Sequence, residues 1–96
     1  MKHYNETRIE RIAPSPTGRL HLGHAYSMLK VLKNKTKFNG KIHLRIDDLD
    51  INRCKEEYIE DILINIDWLK IPIEKTIYKQ TNHFSHYRSS LKKLNE

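Results

Sequence analysis

The run Pro14-Ser-Pro-Thr-Gly-Arg-Leu-His-Leu-Gly-His24 constrains the fold of this chain more than any other segment. Pro14 and Pro16 lack amide donors and restrict the residues before them, so no strand or helix continues through them. Thr17 and Gly18 follow as turn residues. Upstream, Arg8-Ile-Glu-Arg-Ile-Ala13 is short and apolar enough for a strand. Downstream the period changes: Leu22, Ala25, Leu29 and Leu32 are spaced as the buried stripe of a helix. A loop that feeds a helix amino terminus presents unpaired backbone amides and partial positive charge, and both attract phosphate. The segment therefore predicts a nucleotide-phosphate cradle between a strand and a helix.

Gly40 gives the chain a place to stop or reverse after the helix. Residues 41–47 then alternate, with Ile42, Leu44 and Ile46 on one face, as a strand requires. Asp47, Asp48 and Asp50 cluster at its carboxyl end. Strand, helix and strand of this size make a βαβ unit, so the fold class is α/β with parallel strands and additional helices. Ligands of such sheets bind at the carboxyl ends of the strands, and both the proline-rich loop and the Asp cluster fall there. A second helix is expected over about residues 54–69, burying Tyr58, Ile62, Ile66 and Leu69 and ended by Pro72. Ile77-Tyr78 predicts a short third strand. Phe84, Tyr87, Leu91 and Leu94 mark a last helix.

Composition narrows the partners. The 96 residues allow one compact unit with a thin stability margin. A formal charge of +6 favours anionic partners, nucleotide or nucleic acid among them, although a solvated lysine surface accounts for it equally well. Cys54 is the only cysteine, so neither an internal disulfide nor a Cys-based zinc cluster forms within the chain. The reducing cytoplasm is the expected compartment. No apolar run is long enough to span a membrane, and the amino terminus lacks a signal-peptide core.

Within the cradle, Gly18 allows a sharp approach, and Gly23 keeps a helical surface bare so that adenine or ribose can pack on backbone. His21 and His24 share one side of the first helical turns. They suit donation to phosphate oxygens where negative charge develops. The competing reading makes both of them ordinary exposed or capping histidines. A zinc site lacks an obvious third ligand.

Together, Arg11-Ile-Ala-Pro-Ser-Pro-Thr-Gly-Arg-Leu-His-Leu-Gly-His-Ala25 and Leu44-Arg-Ile-Asp-Asp-Leu-Asp50 with Arg53 resemble the paired signatures of the glutamyl branch of class I aminoacyl-tRNA synthetases. The first signature combines R-x-A-P-S-P-T-G with H-x-G-H, and the second is L-R-I-E-D-x-D-x-x-R. Tyr58, Asp67-Trp-Leu, Gln80 and Tyr87 continue the likeness, and the pattern lies closer to the glutamyl-queuosine tRNA(Asp) synthetases. The resemblance implies a Rossmann-like catalytic domain that activates L-glutamate with ATP, accompanied by Mg2+, and transfers it to tRNA. The queuosine base of tRNA(Asp) is the expected acceptor. The alternatives are charging of tRNA(Glu), or a non-catalytic remnant that binds ATP, glutamate or RNA. A purely structural role for a cationic βαβ domain is a third class.

By motif position, Pro14, Thr17, Gly18, His21, Gly23 and His24 correspond to the ATP-binding signature, with His21 and His24 supporting the adenylation transition state. Arg11, Ser15 and Asp47 correspond to the glutamate-binding residues: Arg11 toward a carboxylate, Asp47 toward the amino group. Two substitutions depart from the pattern. Asp47 is one methylene shorter than the family's Glu, and Lys70 stands where Gly is frequent. The resemblance also implies that residues 1–96 match only the amino-terminal part of a catalytic domain. The K-M-S-K-S-like lysine loop lies outside the match. The chain alone is then expected to be inactive, with a second polypeptide as the partner that supplies the loop.

Overall fold

A computed structural model describes residues 8–95, so the expectation for the extreme amino terminus lies outside the described residues. The elements in chain order are β1 (Ile9–Ile12), α1 (Leu22–Phe38), β2 (Lys41–Ile46), α2 (Glu56–Trp68), β3 (Tyr78–Lys79), a 3-10 turn (Gln80–His83) and α3 (Phe84–Leu94). The strands form one parallel sheet in the order β1-β2-β3. Ile9 lies opposite Lys41 and Ile12 opposite Leu44, while Arg45 lies opposite Tyr78. The α/β class and the βαβ unit expected from the sequence are what the chain forms, with β3 one residue later than expected.

β2 carries the core. Ile42, Leu44 and Ile46 are fully buried, and each such side chain contributes about 1.5–3 kcal/mol relative to exposure. Ile12, Met28, Ile59, Ile62, Ile66 and Ile71 complete the cluster. The side chains of β2 on the other face are Lys41, which is exposed, and His43 and Arg45, both half-buried.

The expected stripe of α1 is displaced. Leu22 is 86% exposed and Leu29 45%, whereas Met28 is buried and Val31 and Leu32 pack beside it. The helix starts at Leu22, so that residue belongs to the cap region, and the inward face is set by Met28. In α2 the buried positions are Ile59, Ile62 and Ile66, with Ile59 replacing the expected Tyr58, which stays half-buried.

The two helix ends use left-handed residues other than glycine. Asn39 closes α1 with φ 50°. Gly40 has no positive φ; a Cβ there would collide with the carbonyl of Arg8. That carbonyl accepts the Lys41 N–H at 2.8 Å, so Gly40 serves close approach to the start of β1, and Asn39 makes the reversal. After α2, Lys70 takes φ 57°. Its N–H donates to the Asp67 carbonyl at 3.0 Å and the Ile71 N–H to the Ile66 carbonyl at 3.1 Å. These are the two bonds of a Schellman motif, whose left-handed position favours glycine, and the accompanying apolar contact is supplied by buried Ile71 and Ile66.

Asp48 is buried and accepts two hydrogen bonds from Thr81, from N–H at 3.0 Å and from Oγ1–H at 2.7 Å. This carboxylate joins the end of β2 to the 3-10 turn and so fixes where α3 begins. α3 itself packs chiefly on that turn. Its stripe forms as expected, yet Leu91 is 61% and Leu94 81% exposed. The radius of gyration, 15.9 Å, correspondingly exceeds the roughly 12.5 Å of a compact chain this long. Among the described residues no helix is long and apolar enough to cross a membrane.

Two stability predictions follow from these contacts. Lys70→Gly relieves the left-handed strain and is expected to raise unfolding stability by about 0.5–1 kcal/mol. Asp48→Ala leaves the Thr81 donors without their charged acceptor and is expected to cost about 2–3 kcal/mol. Urea denaturation followed by far-ultraviolet circular dichroism measures both changes.

Candidate functional site

The proline-rich loop is held by its own carbonyls. Pro14 O accepts the Asp47 N–H at 3.0 Å, and Pro16 O accepts the Lys55 N–H at 3.1 Å. Pro14 and Pro16 are buried, whereas Ser15 between them is exposed and Thr17 and Gly18 are half-buried. Prolines offer acceptors without donors, so this arrangement satisfies the loop while tying it to the end of β2 and the start of α2. The two sequence blocks therefore meet at one edge of the sheet.

Asp61, on α2, anchors the next stretch. Its carboxylate accepts the Leu20 N–H at 3.0 Å and lies 3.6 Å from the Arg19 guanidinium. The sequence reading missed Asp61. Its position beside buried Ile62, on the inner side of α2, was the available signal.

His21 and His24 form a reciprocal cap on α1. His21 Nδ1 accepts the Gly23 N–H at 3.1 Å, and His24 Nδ1 accepts the His21 N–H at 3.1 Å. The rings lie 4.0 Å apart, centroid to centroid. Capping and phosphate donation are thus compatible. With both Nδ1 atoms accepting, the neutral rings carry their protons on Nε2, and those N–H groups remain available to a ligand. A Cβ on Gly23 would press against the His21 ring, 2.9 Å from Cε1. Gly23 therefore also makes room for the capping imidazole. Gly18 has no positive φ, and a Cβ there meets nothing within 4 Å. A sharp turn is not its role; it leaves open surface.

A cavity of about 210 Å3 lies between β1 and α1, lined by Arg11, Pro14, His24, Ser27 and Met28. Arg11 also borders an open groove of about 630 Å3 on the uncovered sheet face, with His43, Arg45 and Tyr78. Arg11 is thus the side chain shared by the histidine side and the sheet side of the site. Asp47 reaches this region through Arg45: Nε donates to Oδ1 at 2.6 Å and Nη2 to Oδ2 at 3.1 Å. Those hydrogen bonds stabilise the charged guanidinium and raise the Arg45 pKa. Arg45 was not singled out in the sequence, although its place two residues before Asp47 puts both on one face of a strand. Among the described residues no group of three or more His, Cys, Asp or Glu side chains is arranged to hold a metal ion.

The histidine cap makes the site sensitive to acid. Burial first, and the charge of nearby His21 second, lower the His24 pKa below its ordinary 6.5. Below that pH the unfolded chain takes up the proton more readily than the folded one, so stability present above it is lost as pH falls. The thermal midpoint is expected to drop as pH falls from neutral to below the ordinary histidine value. His24→Asn, which keeps an acceptor but does not titrate, is expected to flatten that dependence; an unchanged slope in this variant would rule out the cap as its source.

Comparison with known proteins agrees with this geometry. The family of class I tRNA synthetases (E and Q), catalytic domain, matches residues 8–96. A glutamate–tRNA ligase of Prochlorococcus marinus is 43% identical over 86 residues, which make up 90% of this chain and 18% of that protein. Glutamate–tRNA ligase 2 of Beijerinckia indica is 41% identical over 86 residues, 90% of this chain and 19% of that protein. Among solved structures, the glutamate–tRNA synthetase of Elizabethkingia anophelis superposes with a TM-score of 0.82 at 27% identity, covering 91% of this chain and 19% of that one. A glutamate–tRNA ligase of Elizabethkingia meningosepticum in complex with its amino acid gives 0.78 at 28% identity, covering 92% and 19%. The chain spans less than one fifth of the length of these relatives. Their names support the tRNA(Glu) alternative better than the queuosine acceptor that the sequence pattern favoured. With its matched domain, its paired motifs and its sheet in agreement, the chain belongs to the class I tRNA synthetases of the glutamate and glutamine branch.

Proposed function

We propose that this chain carries the amino-terminal, nucleotide-binding part of a glutamate–tRNA ligase catalytic centre, which activates L-glutamate with ATP and passes it to tRNA(Glu). The observation that carries the reading is the convergence of the proline-rich loop, the histidine cap and Asp47 on one sheet edge through the Pro14–Asp47 and Pro16–Lys55 hydrogen bonds.

In this reading the Nε2–H groups of His21 and His24 donate to phosphate oxygens as the glutamate carboxylate attacks the α-phosphorus and pyrophosphate leaves. Donors fixed in place by a cap need no reorganisation as charge develops. Pro14, Thr17, Gly18 and Gly23 shape the backbone against which ATP lies. Arg11 holds a glutamate carboxylate, Ser15 lies beside it, and Asp47 takes the ammonium group. Mg2+ would arrive with ATP, held mainly by phosphate oxygens and water. A lysine loop, on a continuation of this chain or on a second polypeptide, would complete neutralisation of the phosphates, and the reducing cytoplasm is the compartment that suits the chemistry.

Glutamate-dependent ATP–pyrophosphate exchange tests the proposal, with the chain alone and with a polypeptide that supplies the lysine loop. Exchange is expected in the combined sample, and His21→Ala or His24→Ala is expected to reduce it by about a hundredfold. Charging is expected on tRNA(Glu) and not on tRNA(Asp). A chain shown to be folded that gives no exchange in any combination would sink the reading.

A further inference from the structure

The groove on the uncovered sheet face is lined by two guanidiniums that the fold itself does not need for its core, and one of them is paired with a carboxylate at the end of β2. Arg11 and Arg45 both line it, and Asp47 is joined to it through its two hydrogen bonds from Arg45. Glu10 lines the same groove; Arg8 lies 3.2 Å from its Oε1, which is screened from solvent and has no hydrogen bond among the described residues. His43 lies opposite Arg11 in the strand register and two residues before Arg45. Its Nδ1 is screened from solvent and has no hydrogen-bond partner among the described residues. A polar atom left in this state marks a place where a ligand or water completes the bonding.

Glutamate carries two carboxylates and one ammonium group. Arg11, Arg45 and Asp47 carry the opposite charges in the same numbers. Without ligand, the Arg45–Asp47 pair satisfies itself as a bidentate fork, which is the geometry a carboxylate ligand would reproduce.

We propose that Arg45 is a specificity-determining residue that binds one of the two carboxylates of the amino-acid substrate, by exchange of partners with Asp47. The incoming ammonium group takes the place of the guanidinium on Asp47, and a substrate carboxylate takes the place of Asp47 on Arg45. Arg11 holds the other carboxylate. Arg45 and Asp47 each keep a partner throughout, so neither is stranded in a half-buried site, where an unpaired charge is costly. The exchange selects a dicarboxylic amino acid over one with a single carboxylate, because a singly charged ligand leaves one guanidinium unmatched. This assignment rests on the glutamate reading of the site and adds Arg45 to it.

Calorimetric titration of the purified chain distinguishes the roles. The probes are L-glutamate, L-glutamine, which keeps only the α-carboxylate, and γ-aminobutyrate, which keeps only the side-chain carboxylate. Arg45→Gln is expected to weaken L-glutamate about ten- to a hundredfold, to weaken one of the two single-carboxylate probes, and to spare the other. Arg11→Gln is expected to reverse which probe is spared. Arg45→Lys, which keeps the charge and loses the fork, is expected to fall between wild type and Arg45→Gln. Circular dichroism confirms that each variant is folded. If Arg45→Gln weakens both probes equally, or neither, Arg45 is structural or idle and the assignment is overturned while the glutamate reading stands. If wild type binds no L-glutamate, the reading and the assignment fall together.

Discussion

Two backbone hydrogen bonds, from Asp47 N–H to Pro14 O and from Lys55 N–H to Pro16 O, hold the functional edge of this chain together. A loop with two prolines has fewer donors than acceptors, and both spare carbonyls are used on elements distant in sequence. The first bond carries the pairing of β1 and β2 past the end of β1. The second brings the entry to α2 against the same loop. The start of α1 is then fixed from the other side by Asp61, which holds the Leu20 N–H. Everything that touches ATP or glutamate in the proposed chemistry stands on this short frame, and most of the frame is backbone.

The parts legible in the sequence were those in which a side-chain pattern has one physical outcome. Ile42, Leu44 and Ile46 alternate with polar residues, and only a strand buries all three. Prolines 14 and 16 could end β1 and could not do otherwise. The inward face of α1 was less legible. Leu22, Ala25, Leu29 and Leu32 fit the helical period as well as the face centred on Met28 does, and the angle of entry decides between them. That angle depends on the His21–His24 cap and on Asp61, contacts that no local periodicity encodes. Gly40 illustrates the same limit. A glycine after a helix suggests a left-handed cap, but here Asn39 takes that conformation and Gly40 is required by the approach of Arg8. The Arg45–Asp47 fork lay outside a motif-by-motif reading because the motif assigns Asp47 to a ligand, and an unliganded carboxylate finds its nearest guanidinium.

The sheet has one covered face and one open face, and their chemistry differs. On the covered side the strands bury aliphatic side chains against α1 and α2. On the open side Arg11, His43, Arg45 and Tyr78 meet in a groove. Parallel sheets are ordinarily covered on both faces by apolar contacts. On this face guanidinium, imidazole and phenol groups stand beside Glu10 and exposed Ile9, and the guanidiniums favour anions.

The substitution of Asp for the Glu of the family pattern acquires a physical meaning in this setting. A shorter carboxylate two residues from Arg45 on the same strand face meets the guanidinium at hydrogen-bonding distance. A carboxylate has about four lone-pair sites, so the fork leaves capacity for an ammonium group even before any exchange. Before any exchange, the bidentate fork fixes the plane of the carboxylate as well as its position. The histidine cap obeys the same rule at the other end of the site, where each Nδ1 is tied to backbone so that each Nε2–H is aimed. In both places a group assigned to substrate is first held by the protein, and the hold determines where it points.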